Sequence, residues 1–149
     1  VDREPEKLAL ARELGATHGV EAGDGLAREV RAVSGIGVDV AIEAVGRKET
    51  IEAAWSMLKP GGKAVVIGMA SARDRVELKA GGFFQAKTIE GCVYGSSDPR
   101  RDIPLLLDLV ARGDFRLDPL VSEELPLEKT QAALERLSRG ECARQVIVN

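Results

Sequence analysis

Three features of the sequence carry groups suited to holding a ligand. Asp2 precedes a segment with helical spacing. In a nucleotide-binding α/β sheet, an acid at the end of the second strand accepts hydrogen bonds from ribose hydroxyls, and its charge disfavours a 2′-phosphate. Arg3 beside it acts the other way, because a guanidinium pairs with such a phosphate. Asp2 equally serves as a cap for the helix that follows. The second feature is Leu58-Lys59-Pro60-Gly61-Gly62, a helix stop and turn of a kind that precedes late strands in nucleotide binders. The third is Arg144, behind Gly140-Glu141, where a guanidinium either clamps a phosphate through paired N–H donors or faces water as a surface charge.

Other chemistries find little support. No serine lies in a nucleophile-elbow context. The single histidine, His18, follows a helix end and reads as a surface group. Cys92 and Cys142 lack metal-ligand spacing and read as two buried thiols of a reducing compartment, so no metal site is expected from this chain. There is no GxGxxG; the nearest glycine cluster, Gly35-Ile36-Gly37, precedes a strand instead of following one.

The elements that must position these groups centre on Val38–Met69, which reads as strand, helix, turn and strand. Val38, Val40 and Ile42, with Ala41 and Ala44 between them, form a run apolar on both faces, as in a parallel strand covered by helices on each side. Ile51, Ala54, Trp55 and Leu58 fall at i, i+3, i+4 and i+7, the stripe of a helix lying on a sheet. Lys63–Met69 is then a second buried strand. Ligands of such sheets sit at the carboxyl ends of the strands, here Glu43–Arg47 and Ile67–Met69.

Around this unit the sequence predicts a helix over Arg3–Leu14 with Leu10, Ala11 and Leu14 inward, a short strand at His18–Glu21, and a helix through Leu26, Val30 and Val33 closed by Gly35. Ala70–Lys87 reads as a loop with a short strand or a turn of helix. Thr88–Tyr94 reads as a further strand. Asp98-Pro99 opens a helix with a stripe of Ile103, Leu106, Leu107 and Val110 and a stop at Gly113. Leu117–Leu125 is a strand, Leu127–Arg139 a helix with Thr130, Ala133, Leu134 and Leu137 inward, and Arg144–Val148 a last strand. Strand and helix alternate to about Tyr94, the α/β signature. The rest reads as a smaller lobe, giving domains at 1–94 and 95–149.

The chain has 149 residues and a formal net charge of −3, so nothing electrostatic favours nucleic acid or an anionic membrane surface. No apolar run approaches the roughly 20 residues that cross a bilayer. Val1-Asp2 reads as the end of a strand that begins outside the chain, which is therefore expected to be a fragment.

Taken as an ordered set, these pieces resemble the medium-chain dehydrogenase/reductase family, closest to its zinc-dependent alcohol dehydrogenases. The residues that carry the resemblance are Val1-Asp2…Lys7, Glu43-Ala44-Val45-Gly46-Arg47, Leu58–Gly62, Val66–Met69, Gly91–Gly95, Asp118-Pro119-Leu120, Leu125–Glu128 and Gly140-Glu141…Arg144. The resemblance implies an incomplete doubly wound parallel (Rossmann-type) sheet lacking its first strand, plus a small C-terminal α+β portion of the catalytic domain. It implies NAD as cofactor, with Asp2 and Lys7 at the adenosine ribose and Val45, Gly46 and Arg47 along the adenosine side. Ile67, Gly68 and Met69, with Cys92, Val93 and Tyr94, would meet the nicotinamide riboside and carboxamide, and Arg144 the pyrophosphate. The family's zinc ligands and proton relay lie in an N-terminal domain outside this chain. No catalytic residue is therefore assigned, zinc is expected only in the full-length enzyme, and the chain alone is expected to be inactive.

The implied reaction is hydride transfer between an alcohol or aldehyde and the nicotinamide, in a cytoplasmic homodimer paired through the Thr88–Tyr94 edge. Two alternatives stand beside it. An S-adenosylmethionine-dependent methyltransferase also places an acid at the second strand and an LKPGG-like turn before a late strand. A cofactor-domain remnant kept for oligomerisation is the other.

Overall fold

A computed structural model describes all residues, 1–149. The chain divides into two compact units, Val1–Leu8 with His18–Ser97 and Ala9–Thr17 with Asp98–Asn149, the division falling within the first helix.

The first unit begins with Val1-Asp2 in the extended conformation. Asp2 forms a parallel bridge with Glu21, which is all that forms of the expected strand at His18–Glu21. Helix α1, Pro5–Glu13, follows; Leu8 is its buried residue, while Leu14 is exposed. Helix α2, Leu26–Ser34, buries Val30 and leaves Val33 exposed; it ends at Gly35, whose φ of 77° suits glycine.

The βαβ unit is β1 (Val38–Glu43), α3 (Lys48–Met57) and β2 (Leu58–Val66), followed by a single turn of helix, α4 (Gly81–Phe84), and β3 (Thr88–Gly91). The three strands form a parallel sheet in the order β1-β2-β3. The core lies between this sheet and α3, where Ala41, Ala54, Trp55, Leu58 and Ala64 pack together with Val38, Leu78 and Ile89 around them. Trp55 meets Phe83 of α4 with ring centroids 4.9 Å apart. Gly82 lies flat on the indole, a Cβ there falling 2.5 Å from Trp55 Cζ2. That close approach explains the glycine at position 82, where the sequence pattern breaks.

Four expectations are corrected. The strand apolar on both faces is covered on one: Ala41 and Glu43 are buried under α3, whereas Val40 is 54% and Ile42 67% exposed. Hydrophobicity records that a face is made to be covered, and no element of this unit covers that one. The Leu58–Gly62 turn is not a break before the strand but a bulge within it. Between the Val38/Leu58 and Val40/Lys63 pairs, β1 advances two residues and β2 five. The last strand of the sheet ends at Gly91, not Tyr94, because Tyr94, Gly95 and Ser96 all take positive φ (49°, 69° and 51°) and curl into a 3₁₀ turn. Likewise β2 ends at Val66, so Ile67–Met69 lie beyond the strand.

The second unit contains α5 (Pro99–Ala111), β4 (Val121–Pro126), α6 (Thr130–Ser138) and β5 (Arg144–Val148). Asp98 caps α5 by accepting the Arg100 N–H at 3.0 Å. Strands β4 and β5 pair in parallel, with α6 as the crossover. Asp118–Leu120 is a 3₁₀ turn, not strand, as Pro119 supplies no N–H for a ladder. Ala133 is buried as expected, but Leu134 and Leu137 are 55% and 45% exposed. The α5 stripe is also open: Ile103, Leu106 and Leu107 are exposed. Cys142 is buried, Cys92 partly so, and both are free thiols.

Candidate functional site

The carboxyl ends of β1 and β2 are tied into one knot, and Glu43 is its centre. It is the last residue of β1, on the same face as Ala41, and is 4% exposed. Its Oε1 accepts the N–H groups of Val45 and Gly46, both at 2.8 Å. Thr50 Oγ1 lies 2.7 Å from the same oxygen and 2.9 Å from the Arg47 carbonyl, so its single proton serves one of them at a time. The backbone carbonyl of Glu43 accepts from Ile67 N–H at 2.8 Å and Gly68 N–H at 3.1 Å. One residue thus holds both segments that follow the two strands. Its Oε2 is buried without a partner.

Two glycines make the knot possible. Gly46 has φ 78°, and a Cβ there would meet the Met69 backbone at 2.5 Å; a Cβ on Gly68 would fall 2.7 Å from Glu43 Oε2. Side chains at either place would force the two turns apart. The third strand end joins through Cys92 N–H, which donates to the Val66 carbonyl at 2.9 Å. The structure therefore brings together Val45–Arg47, Ile67–Met69 and Cys92. Val93 and Tyr94 follow directly and are 77% and 94% exposed; Val45, Ile67 and Met69 are exposed as well. Apolar side chains standing in water at the tips of parallel strands make a floor suited to planar rings.

Asp2 lies elsewhere in this unit. Its Oδ1 accepts the Glu4 N–H at 3.0 Å, so one carboxylate oxygen performs the helix-entry role. Lys7 is in the first turns of α1, half-buried. Arg47 is exposed and pairs with Glu49 at 3.4 Å. Beside the bulge, Lys59 pairs with Asp39; that hydrogen bond, with the lysine charge, holds the Asp39 carboxyl below the usual aspartate range.

Arg144 belongs to the second unit. Its backbone N–H donates to Ser122 Oγ at 3.4 Å, and with Thr130, Ala133, Leu134, Leu137 and Ile147 it lines a groove of about 160 Å³. Nowhere do three or more His, Cys, Asp or Glu side chains gather as metal ligands.

The family model described as zinc-binding dehydrogenase matches residues 1–112. The chain belongs to the zinc-binding dehydrogenase family. Among curated relatives, alcohol dehydrogenase-like 2 of Arabidopsis thaliana is 29% identical over 99% of the chain and 39% of the relative. Among solved structures, the alcohol dehydrogenase zinc-binding domain protein from Burkholderia ambifaria superposes with a TM-score of 0.91 at 32% identity, over 98% of this chain and 40% of that one. Benzyl alcohol dehydrogenase from Acinetobacter calcoaceticus gives 0.89 at 27% identity, over 97% and 40%. This dehydrogenase-family chain thus spans about 40% of the length of those proteins, and its fold is the Rossmann-like cofactor-binding portion of theirs.

Sequence reasoning places Glu43 at the head of the Glu43–Arg47 ligand end but gives it no role of its own. Its signal is present: a charged residue placed in phase with Ala41, on the buried face of an otherwise apolar strand.

Proposed function

We infer that this chain is the NAD-binding portion of an alcohol dehydrogenase. The observation that carries the reading is the three joined strand ends, with Val45, Ile67, Met69, Val93 and Tyr94 exposed above them. In this reading Val45–Arg47 line the adenosine side of the groove. Gly68 brings backbone close to the nicotinamide riboside, and the Cys92–Tyr94 segment bonds the carboxamide through its backbone groups. Asp2 takes the ribose diol with the oxygen not used by Glu4, and Lys7 lies near the same sugar. Arg144 neutralises the pyrophosphate.

A bound NAD would supply the hydride chemistry that interconverts an alcohol and an aldehyde. No proton transfer or metal step is assigned to these residues. Zinc, the alcohol pocket and the proton relay belong to protein outside these residues, and the chain alone does not turn over alcohol. A second copy pairs along β3, which has one neighbour in its sheet and an open edge. The family match supports this reading over a methyltransferase.

Saturation-transfer NMR on the 149-residue chain tests it. Transfer to the adenine and nicotinamide protons of NAD, and none to S-adenosylmethionine, is the expected result. The reverse pattern removes the reading.

A further inference from the structure

Glu43 is a buried carboxyl residue whose side chain and backbone carbonyl together hold the turns after two neighbouring strands. A helix N-terminus with free N–H groups ahead of it attracts anions. Here the two N–H groups preceding α3, those of Val45 and Gly46, already converge on Oε1 of Glu43 at 2.8 Å each, with Thr50 Oγ1 on the same oxygen at 2.7 Å. The chain has placed its own carboxylate where an external anion would otherwise sit. Arg47 N–H, one residue on, has a weaker acceptor in Thr50 Oγ1 at 3.3 Å.

We propose that Glu43 is a positioning residue with two effects on one turn: it fixes Val45–Arg47 against Gly68, and as a built-in anion it closes that turn to phosphate. The turn then presents an uncharged part of the ligand, and the phosphates must bind elsewhere. The backbone geometry supports the first effect. The Glu43 carbonyl holds Ile67 and Gly68 while its side chain holds Val45 and Gly46, so the spacing between the two turns is set within one residue. Charge supports the second: a carboxylate with its second oxygen buried and unpaired repels a phosphate oxygen at hydrogen-bond range. That the ligand is NAD rests on the function proposed above; closure to phosphate does not.

The test is amide NMR on the full chain, wild type, Glu43→Ala and Glu43→Gln, titrated separately with NAD and with inorganic phosphate. In wild type, the Val45 and Gly46 amides are expected to respond to NAD and not to phosphate. In Glu43→Ala the freed N–H groups should respond to phosphate, and NAD should bind about tenfold more weakly. Glu43→Gln keeps an oxygen for those N–H groups and should fall between. A loss from disordered packing alone would not create a phosphate response. Phosphate shifting the wild-type amides as strongly as NAD, or Glu43→Ala keeping NAD affinity within about twofold, overturns the proposal. Where Glu43→Ala fails to fold, hydrogen exchange in wild type decides: Gly46 exchanging as fast as Arg47 contradicts the proposal, and strong protection of Gly46 supports it. A wild-type chain silent to NAD removes the cofactor reading alone, and the phosphate arms still judge the turn.

Discussion

A Cβ on Gly68 would fall 2.1 Å from the backbone nitrogen of Gly46, closer than any real side chain approaches a backbone atom. These residues lie in the turns that follow two different strands, so the approach sets how tightly the turns after β1 and β2 can lock. Gly68→Ala must push them apart. It is expected to cost about 1–3 kcal/mol in urea unfolding and to abolish NAD binding. Gly81→Ala is the control, because a Cβ there meets nothing within 4 Å and its φ is not positive; its melt should be unchanged or slightly raised.

The core makes a separate prediction. Trp55 is 3% exposed and is packed between Gly82 and Phe83. Trp55→Ala should destabilise the chain by about 3–5 kcal/mol. Phe84→Ala, next along the same short helix but 94% exposed, should stay within about 0.5 kcal/mol of wild type. Equilibrium denaturation of both variants checks the pair.

Much of this was legible in the residues. The stripe Ile51, Ala54, Trp55 and Leu58 is the buried side of α3 and its exit, and all four are buried. Local periodicity reports a face directly when its cover lies in the same segment. Val40, Ile42, Ile103 and Leu107 carry an equally apolar pattern and are exposed, since a sequence cannot state which residues supply a cover. The strand limits at Val66 and Gly91 were also misread, because Ile67 and Val93-Tyr94 are β-favouring residues placed in turns by long-range bonds to Glu43 and by positive φ. The sequence marks Glu43 as a strand end without showing what it holds, for a related reason. Val45, Gly46 and Thr50 are near it in sequence, but Ile67 and Gly68 reach its carbonyl only through the pairing of β1 with β2.

Electrostatics gives a pH signature. Lys59 lowers the Asp39 carboxyl below its ordinary value of 3.8. A carboxyl depressed in the folded state adds stability that is present above its unfolded pKa and lost as pH falls through the folded one. Asp39→Asn should therefore be slightly less stable than wild type at neutral pH. The two should converge as pH drops from about 4 through the depressed folded value. The pair is exposed, so the difference should be small and shrink with added salt. Urea midpoints across that range measure it.

Asp2 separates charge from capping. Glu4 N–H binds Oδ1 at 3.0 Å, and the side-chain oxygen of asparagine preserves that bond. Asp2→Asn should leave the melt unchanged while reducing the preference for NAD over NADP by about tenfold, the scale of one lost charged hydrogen bond. An unchanged cofactor preference in Asp2→Asn, with a lowered melt only in Asp2→Ala, which removes the acceptor of the Glu4 N–H, would assign Asp2 to capping instead.

The most direct measurement is an amide-shift map of the 149-residue chain titrated with NAD. The cofactor assignment predicts that the largest changes cluster at Val45–Arg47, Ile67–Met69 and Cys92–Tyr94, the three strand ends that Glu43 and Val66 join. Changes confined to other surfaces, or no change at those nine residues at saturating NAD, would contradict it.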